Sequence, residues 1–294
     1  MIDYPRHQFF RVALSVRGTV VPRVAPRVLI VAVIALAACG WNALAPESLA
    51  FKPLAHSLVG IAMGMLLVFR TNASYDRWWE ARKQWGGMVN ASRNLVRIMT
   101  VHAGDGRRAA ALCSAWSLAL VHHLRGERHP EQTRELLGPE AASRSYDQPN
   151  VPAAIGAELS RNIALALGQG RLAPDLARLA EGLVMELLDH QGACERILNT
   201  PLPFAYVTAV RQLLLVYLFS LPMVLVGELG WWSIPAAVFI AYGLLAIEEA
   251  GIEIEDPFGT DPNDLPLDAI CATIAQDCAA MAAGPSSPAP RSAL

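Results

Sequence analysis

The sequence predicts an all-α integral membrane protein with four transmembrane helices, and three observations lead to that prediction. Of the 294 residues, 53% are hydrophobic and only 17% are charged, an unusual balance for a soluble protein. Four apolar segments approach the length that a helix needs to cross the roughly 30 Å hydrocarbon core of a bilayer. Basic residues are concentrated at one end of these segments, which gives them a consistent orientation.

The first two apolar segments, 28–45 and 54–69, form a predicted transmembrane hairpin. The short connection between them carries Lys52 as its only basic residue, whereas basic residues are frequent at both outer ends. Because basic residues remain on the cytoplasmic side, both outer ends are expected there. These residues are Arg6, Arg11, Arg17, Arg23 and Arg27 before the hairpin, and Arg70, Arg77, Arg82 and Lys83 after it.

A long polar region separates this hairpin from two further apolar segments, 205–226 and 231–247. It is too polar to cross a membrane, and it places apolar residues three or four apart, as amphipathic helices do. Four crossings then return the C-terminus to the cytoplasm. The predicted organisation is a cytosolic N-terminal segment (1–27), a first hairpin (28–69), a cytosolic helical region (70–204), a second hairpin (205–247), a cytosolic acidic segment with a helix (248–283) and a disordered tail (284–294).

Composition and motifs argue against two function classes. The net charge of −2 gives no basic field that would attract nucleic acid. The chain has no GxSxG, P-loop or HExxH motif, and its five cysteines include no CxxC pair. We therefore expect neither nucleic-acid binding nor catalysis.

The second apolar segment carries two stripes of residues at helical spacing. Ile61, Met65 and Phe69 form a bulky stripe, and Gly60 and Gly64 form a neighbouring one. Glycine stripes let helix backbones approach closely, so Gly60 and Gly64 are predicted helix-packing positions. If several copies surround an axis, the bulky stripe lines a narrow hydrophobic gate. Otherwise it faces lipid or a neighbouring helix, and spacing alone does not decide between these alternatives.

Two basic side chains, Arg211 and His56, lie within the apolar segments. An unpaired charge in a membrane helix is costly, so Arg211 is expected either to extend to the cytosolic interface or to contribute to an ion pathway. His56 lacks a second metal ligand in sequence, so a place near the extracellular mouth, or a hydrogen bond, explains it better than a metal site.

The run FRTNASYDRWWEAR at residues 69–82 resembles a motif of the bestrophin ion-channel family, particularly its bacterial branch. Three further matches follow the same order along the chain: RGT at 17–19, CERILNTPLPFAY at 194–206, and DPFG at 256–259 with NDLPL at 263–267. The resemblance implies a homopentamer of mostly helical subunits in the bacterial inner membrane. One central ion pathway would cross the membrane and continue through a cytosolic vestibule.

The resemblance also implies roles for apolar residues along that pathway. By position, Ile61, Met65 and Phe69 match the neck, which is the family's narrow apolar constriction. Met65 departs from the bulky Ile or Phe that is usual there, and methionine is more flexible than either. A second, cytosolic constriction is formed in the family by an apolar residue early in the helix before the TPLPFAY run. Leu176 is the best match for it, and Leu179 is the next.

The acidic segment after the fourth apolar run resembles the calcium clasp of eukaryotic members of the family. A solvated acidic connection explains it equally simply, because a calcium cage must be geometrically closed. Thr260 and Pro262 interrupt the acidic run of those relatives, which argues against calcium gating, and no other cofactor is expected. The matching positions are Asp261 and Asp264 for side-chain ligands, and Glu253 and Asp256 for backbone carbonyls.

The sequence and the resemblance together predict a passive ion channel whose partners are other copies of the chain, membrane lipid and the permeating ions. Some bacterial members favour monovalent cations and eukaryotic members conduct anions. An acidic exit facing the lumen would favour cations, so the prediction leans to cation selectivity, with an anion (chloride) channel as the alternative. The alternative of another class is an integral-membrane metal-binding protein or enzyme that uses the acidic cluster.

Overall fold

The computed structural model describes residues 7–16, 18–45, 53–127 and 131–283, and its regular secondary structure there is entirely helical. This confirms the predicted all-α class. The helices are α1 (Phe9–Ala13), α2 (Val21–Leu44), α3 (Pro53–Ile98), α4 (Gly106–Arg125), α5 (Glu131–Leu137), α6 (Pro139–Tyr146), α7 (Val151–Gly168), α8 (Pro174–Asn199), α9 (Phe204–Leu229), α10 (Ser233–Glu255) and α11 (Leu267–Ala283), with a π-helical turn at Met99–Ala103 and a 3₁₀ turn at Gly230–Trp232.

Some residues used in the sequence analysis lie outside the described part of the chain. They are Arg6, Arg17, Lys52 and the tail 284–294.

Three helical stretches of the described chain are long and apolar enough to cross a membrane: Val21–Leu44, Pro53–Ala103 and Phe204–Glu255. The third consists of α9 and α10, which pack against each other and are joined by the 3₁₀ turn. Gly230 at this turn has a φ of +53°, in the left-handed region that glycine adopts without strain. The predicted second hairpin therefore corresponds to two packed helices.

Helix α3 continues without interruption from the apolar segment into the polar one. Its 46 residues correspond to about 70 Å at the usual helical rise. This length exceeds the roughly 30 Å of a bilayer core, so a membrane-crossing α3 must project well beyond the membrane. The change from apolar to charged residues after Phe69 is thus a change of surroundings within one helix.

The chain divides into two compact units, Met1–Trp78 with Pro201–Asp264, and Trp79–Thr200 with Leu265–Leu294. In the first unit, α2 packs against α9 and α10. The buried core of this unit includes Ala35, Ala237 and Ala241, small residues that let membrane helices approach closely. Met63 and Leu67 are the buried core residues that α3 contributes.

The second unit is built around α4, which packs against α7 and α11. Its fully buried side chains include Trp85 and Met88 from α3, and Trp116 and Leu120 from α4. These large residues give the predicted cytosolic helical region its own hydrophobic core.

Candidate ion-pathway surface

The three predicted neck residues lie on one exposed face of α3. Ile61, Met65 and Phe69 are 66%, 57% and 59% exposed, whereas Met63 and Leu67 on the opposite face are each 1% exposed. The spacing of four residues therefore separates two faces as the sequence predicted. Three bulky apolar side chains are thus largely exposed on the described subunit.

The two glycines of the neighbouring stripe have different surroundings. A Cβ atom on Gly60 would lie 2.7 Å from the Tyr217 hydroxyl, so this glycine makes room for a side chain of α9. A Cβ atom on Gly64 would meet no heavy atom within 4 Å. Gly60 thus packs within the subunit, and the packing role of Gly64 stays a prediction that requires another helix.

His56 lies three residues into α3 and is hydrogen-bonded within the subunit. Its ring stacks on Tyr217 with 4.2 Å between ring centroids. Its Nε2 lies 3.1 Å from the Ser220 hydroxyl and 3.3 Å from the Tyr217 carbonyl oxygen. These contacts on α9 give His56 the hydrogen bonds that the sequence analysis offers as one explanation for it.

A buried ion pair follows directly after the neck residues. Arg70 and Glu248 have side chains that are 1% and 3% exposed, and Arg70 Nη1 donates to Glu248 Oε1 at 2.6 Å. Arg70 Nη2 also lies 3.4 Å from Glu255 Oε2. Burying a charge is costly unless it is paired, so this geometry ties α3 firmly to α10.

Two further arginines join this pair. Arg211 Nε donates to the same Glu248 Oε1 at 3.0 Å, and Arg27 Nη1 donates to Glu249 Oε2 at 2.7 Å. Together with Arg70 and Glu255, these residues form a charged cluster that we call the Glu248 network. Arg211 therefore finds a carboxylate partner and is also half-exposed. The network joins α2, α3, α9 and α10; its members are Arg27, Arg70, Arg211, Glu248, Glu249 and Glu255.

The sequence predicts an acidic segment from residue 248, but it does not predict that the glutamates of this segment pair with these arginines. Glu248 lies 178 positions from Arg70 in the chain, and hydrophobic periodicity carries no information about such a partner. A usable signal was present, since the three arginines of the network lie in three of the apolar helices or beside their apolar segments, and its three glutamates follow the apolar segment of the fourth.

The predicted clasp residues are close together, but their side chains already have partners. Glu253 and Asp261 both accept from Arg23, at 2.9 and 3.0 Å. Asp264 Oδ2 accepts from the Asp261 backbone N–H at 2.6 Å. The Asp256 carboxylate accepts from the Phe258 backbone N–H at 3.2 Å.

Burial raises the pKa of the Asp264 carboxyl to about 6, and the nearby Asp261 carboxylate adds to this effect. Among the described residues, no three or more His, Cys, Asp or Glu side chains are arranged to hold a metal ion. The calcium-clasp positions stay a prediction, which for Glu253 and Asp256 concerns their backbone carbonyls and not these side chains.

The predicted cytosolic constriction residues belong to the second unit. Leu176 lies in the first turn of α8, two residues after its first residue Pro174, and is partly buried. Leu179 is largely exposed on the same helix. Both positions are early in the helix that precedes the TPLPFAY run, as the resemblance requires.

Comparison with known proteins relates nearly the full length of the chain to one family. A family model described as "Bacterial/Fungal Bestrophin protein" matches residues 1–280. Similar curated proteins are each called "Voltage-dependent anion channel-forming protein". One from Nostoc is 36% identical, covering 92% of this chain and 90% of its own length. One from Escherichia coli K12 is 30% identical, covering 94% of this chain and 92% of its own length.

Solved structures agree with the sequence comparison. The crystal structure of a bacterial bestrophin homolog from Klebsiella pneumoniae superimposes with a TM-score of 0.83 and 31% identity, covering 88% of this chain and 98% of that one. Both the family model and this structural likeness extend over nearly the full length of the chain. This protein therefore belongs to the bacterial and fungal branch of the bestrophin family of ion channels.

Proposed function

We propose that this protein is a pentameric channel that passes small ions passively through a hydrophobic neck and then through a cytosolic vestibule. The observation that carries this proposal is the exposed apolar stripe of Ile61, Met65 and Phe69 on α3. In a bestrophin-family chain, five copies of α3 around one axis would place these side chains in three successive rings. Narrow apolar rings of this kind gate by losing their water.

The position of Arg70 supports an apolar neck. Although it directly follows Phe69, its side chain is buried against Glu248 on α10. The neck face of α3 therefore carries no charge at this level. An ion would meet only apolar side chains between Ile61 and Phe69, and we assign the cytosolic constriction to Leu176, with Leu179 as the second candidate.

For selectivity we propose a preference for anions such as chloride. The curated relatives are called anion channel-forming proteins. The cation preference suggested by the sequence depended on acidic side chains that face the lumen. Glu248, Glu249 and Glu253 are instead buried and paired with arginines, which removes most of that negative field. Monovalent cation selectivity is the alternative that the experiment below distinguishes.

We propose four crossings of the bacterial inner membrane, by α2, the first part of α3, α9 and α10, with both termini in the cytoplasm. The basic residues Arg23, Arg27 and Arg70 lie at the ends of these helices that the positive-inside rule assigns to the cytoplasm. The partners are the other four subunits, lipid and the permeating ions. No cofactor takes part, and calcium does not gate the channel.

Planar-bilayer recording in asymmetric salt tests the neck and the selectivity together. The intact protein is expected to carry a current whose reversal potential lies close to the chloride equilibrium potential. Replacement of Ile61, Met65 and Phe69 by Ala should widen the rings and raise the open probability or conductance. The matched control replaces Leu29, Val33 and Leu36, which are comparably exposed apolar residues of a different helix, α2, and should leave the current unchanged.

Several outcomes would contradict the proposal. A folded oligomer that carries no current would exclude a channel. Equal effects of the α2 and α3 replacements would remove the neck assignment. A reversal potential close to the cation equilibrium potential would show a cation preference instead of an anion preference. A change in open probability between chelator and micromolar Ca²⁺ would show that calcium gates the channel.

A further inference from the structure

A groove on the first unit is apolar along most of its length and carries two arginines at one end. Its volume is about 360 Å³, and its walls come from α2, α9 and α10. Because α3 contributes none of its lining, the groove is separate from the proposed neck. The lining residues are Arg27, Ile30, Val31, Arg211, Leu214, Leu215, Leu218, Phe219, Leu245, Glu248 and Ile252.

The apolar part of the groove is open at the surface of the helices. Ile30 on α2, and Leu215 and Phe219 on α9, are all exposed apolar residues. Along α9 the lining extends from Arg211 to Phe219, which corresponds to about 12 Å of helix. An extended hydrocarbon chain could therefore lie along this wall, parallel to the helix axes.

The two arginines at the end of the groove have unused hydrogen-bond donors. A guanidinium group has five N–H donors. In the described part of the chain, Arg211 bonds to protein only through Nε, and Arg27 only through Nη1. Both side chains are about half-exposed, whereas their partners Glu248 and Glu249 are buried behind them. At this end the groove is thus lined by the free donors of two arginines and by the buried Glu248 that both approach.

We propose that this groove binds one anionic glycerophospholipid per subunit. Arg27 and Arg211 would hold the phosphate, because guanidinium groups match phosphate geometry and such basic pockets between membrane helices bind lipid headgroups. An acyl chain would pack on Leu215, Leu218 and Phe219. A negatively charged headgroup is favoured over a zwitterionic one, because the exposed donors belong to Arg27 and Arg211, whereas the Glu248 and Glu249 carboxylates paired with them are buried.

Such a lipid would bridge α2 and α9 where the Glu248 network joins them. A ligand that binds only the folded state stabilises it in proportion to its occupancy. The inference goes beyond channel activity, because it depends on the groove and the arginines alone. It would hold even if the chain conducted no ions.

Binding is tested with the full chain in nonionic detergent, by native mass spectrometry and thermal unfolding in the presence of phosphatidylglycerol, phosphatidylcholine or inorganic phosphate. Phosphatidylglycerol should be retained at one molecule per subunit and raise the Tm more than the other two. The double variant Arg27→Gln and Arg211→Gln should weaken retention by about tenfold or more, since charge-assisted bonds are lost. Arg178→Gln, which removes an exposed arginine of α8, should retain the lipid normally.

A second variant keeps all the charges. Leu215→Trp fills the groove and should reduce phosphatidylglycerol retention, whereas Leu29→Trp, at an exposed position on α2 outside the groove, should not. Equal retention of the two lipids would overturn the proposal, as would stabilisation by inorganic phosphate alone. So would normal retention in the groove variants, or absence of retained lipid because a second copy covers the groove.

Discussion

At the residue scale, the Glu248 carboxylate lies close to three arginines, near the residue at which the predicted membrane part of α3 ends. It accepts from Arg70 and Arg211 through one oxygen, and its other oxygen lies 3.8 Å from Arg27. Such a cluster adds little net stability compared with an apolar core, but it fixes how the helices are placed. The sequence showed the charges, yet only the fold shows that they neutralise one another.

Among the described residues, replacement of Glu248 by Ala leaves buried Arg70 with one acidic partner, the Glu255 carboxylate 3.4 Å from its Nη2. Breaking a buried pair in this way costs about 3–5 kcal/mol. We therefore expect a clear loss in the free energy of unfolding, measured by denaturant titration in detergent. Glu186→Ala provides the control, because Glu186 is half-exposed and its nearest basic partner is His190 at 3.6 Å. A similar loss in both variants would show that Glu248 has no special structural role.

At the element scale, the apolar periodicity predicted the membrane helices better than their ends. α2 begins at Val21, seven residues before the predicted segment, because Pro22 fits the first turn of a helix and the arginines that follow are good helix formers. Hydrophobicity marks where a helix enters the bilayer and cannot mark where the helix itself begins. For the same reason the boundary at residue 70 does not appear as an end of α3.

The faces of α3 were predictable, whereas the contacts made by those faces were not. The four-residue spacing placed Ile61, Met65 and Phe69 together, and the structure shows that face exposed. The Tyr217 hydroxyl against Gly60 could not be foreseen, since it depends on how α9 packs on α3. Local spacing determines which residues share a face, and tertiary packing determines what that face meets.

The Gly86-Gly87 pair in the polar half of α3 gives a direct test of that packing. A Cβ on Gly87 would lie 2.1 Å from His190 Nε2, and His190 is held on its other side by Gln84 Oε1 at 2.6 Å. Gly87→Ala should therefore destabilise the protein by about 1–3 kcal/mol through overpacking. Gly86→Ala meets only the flexible end of Arg82 and should be neutral or stabilise the helix by up to about 1 kcal/mol. Thermal unfolding of the two variants compares them, and equal Tm values would contradict the packing of α3 against α8.

At the scale of the whole molecule, an exposed apolar stripe has two possible environments. Lipid and a narrow lumen both accept Ile61, Met65 and Phe69, so neither the spacing nor the fold of one subunit distinguishes them. Membership of a channel family favours the lumen, and the uncharged face beside Arg70 is consistent with it. The distinction depends on whether copies of Met65 face each other.

Single cysteines make that distinction measurable. If Met65 lines a fivefold axis, Met65→Cys places five thiols around one narrow ring, so mild oxidation should form disulfide-linked dimers and Cd²⁺ should reduce the current. Leu29→Cys is the control, because this α2 position is equally exposed but lies outside the proposed pore. The native background is low, since all five cysteines are buried. Native mass spectrometry should give five times the 31.7 kDa chain mass. Crosslinking at Leu29 but not at Met65, or a monomeric mass, would place the stripe against lipid and remove the pore.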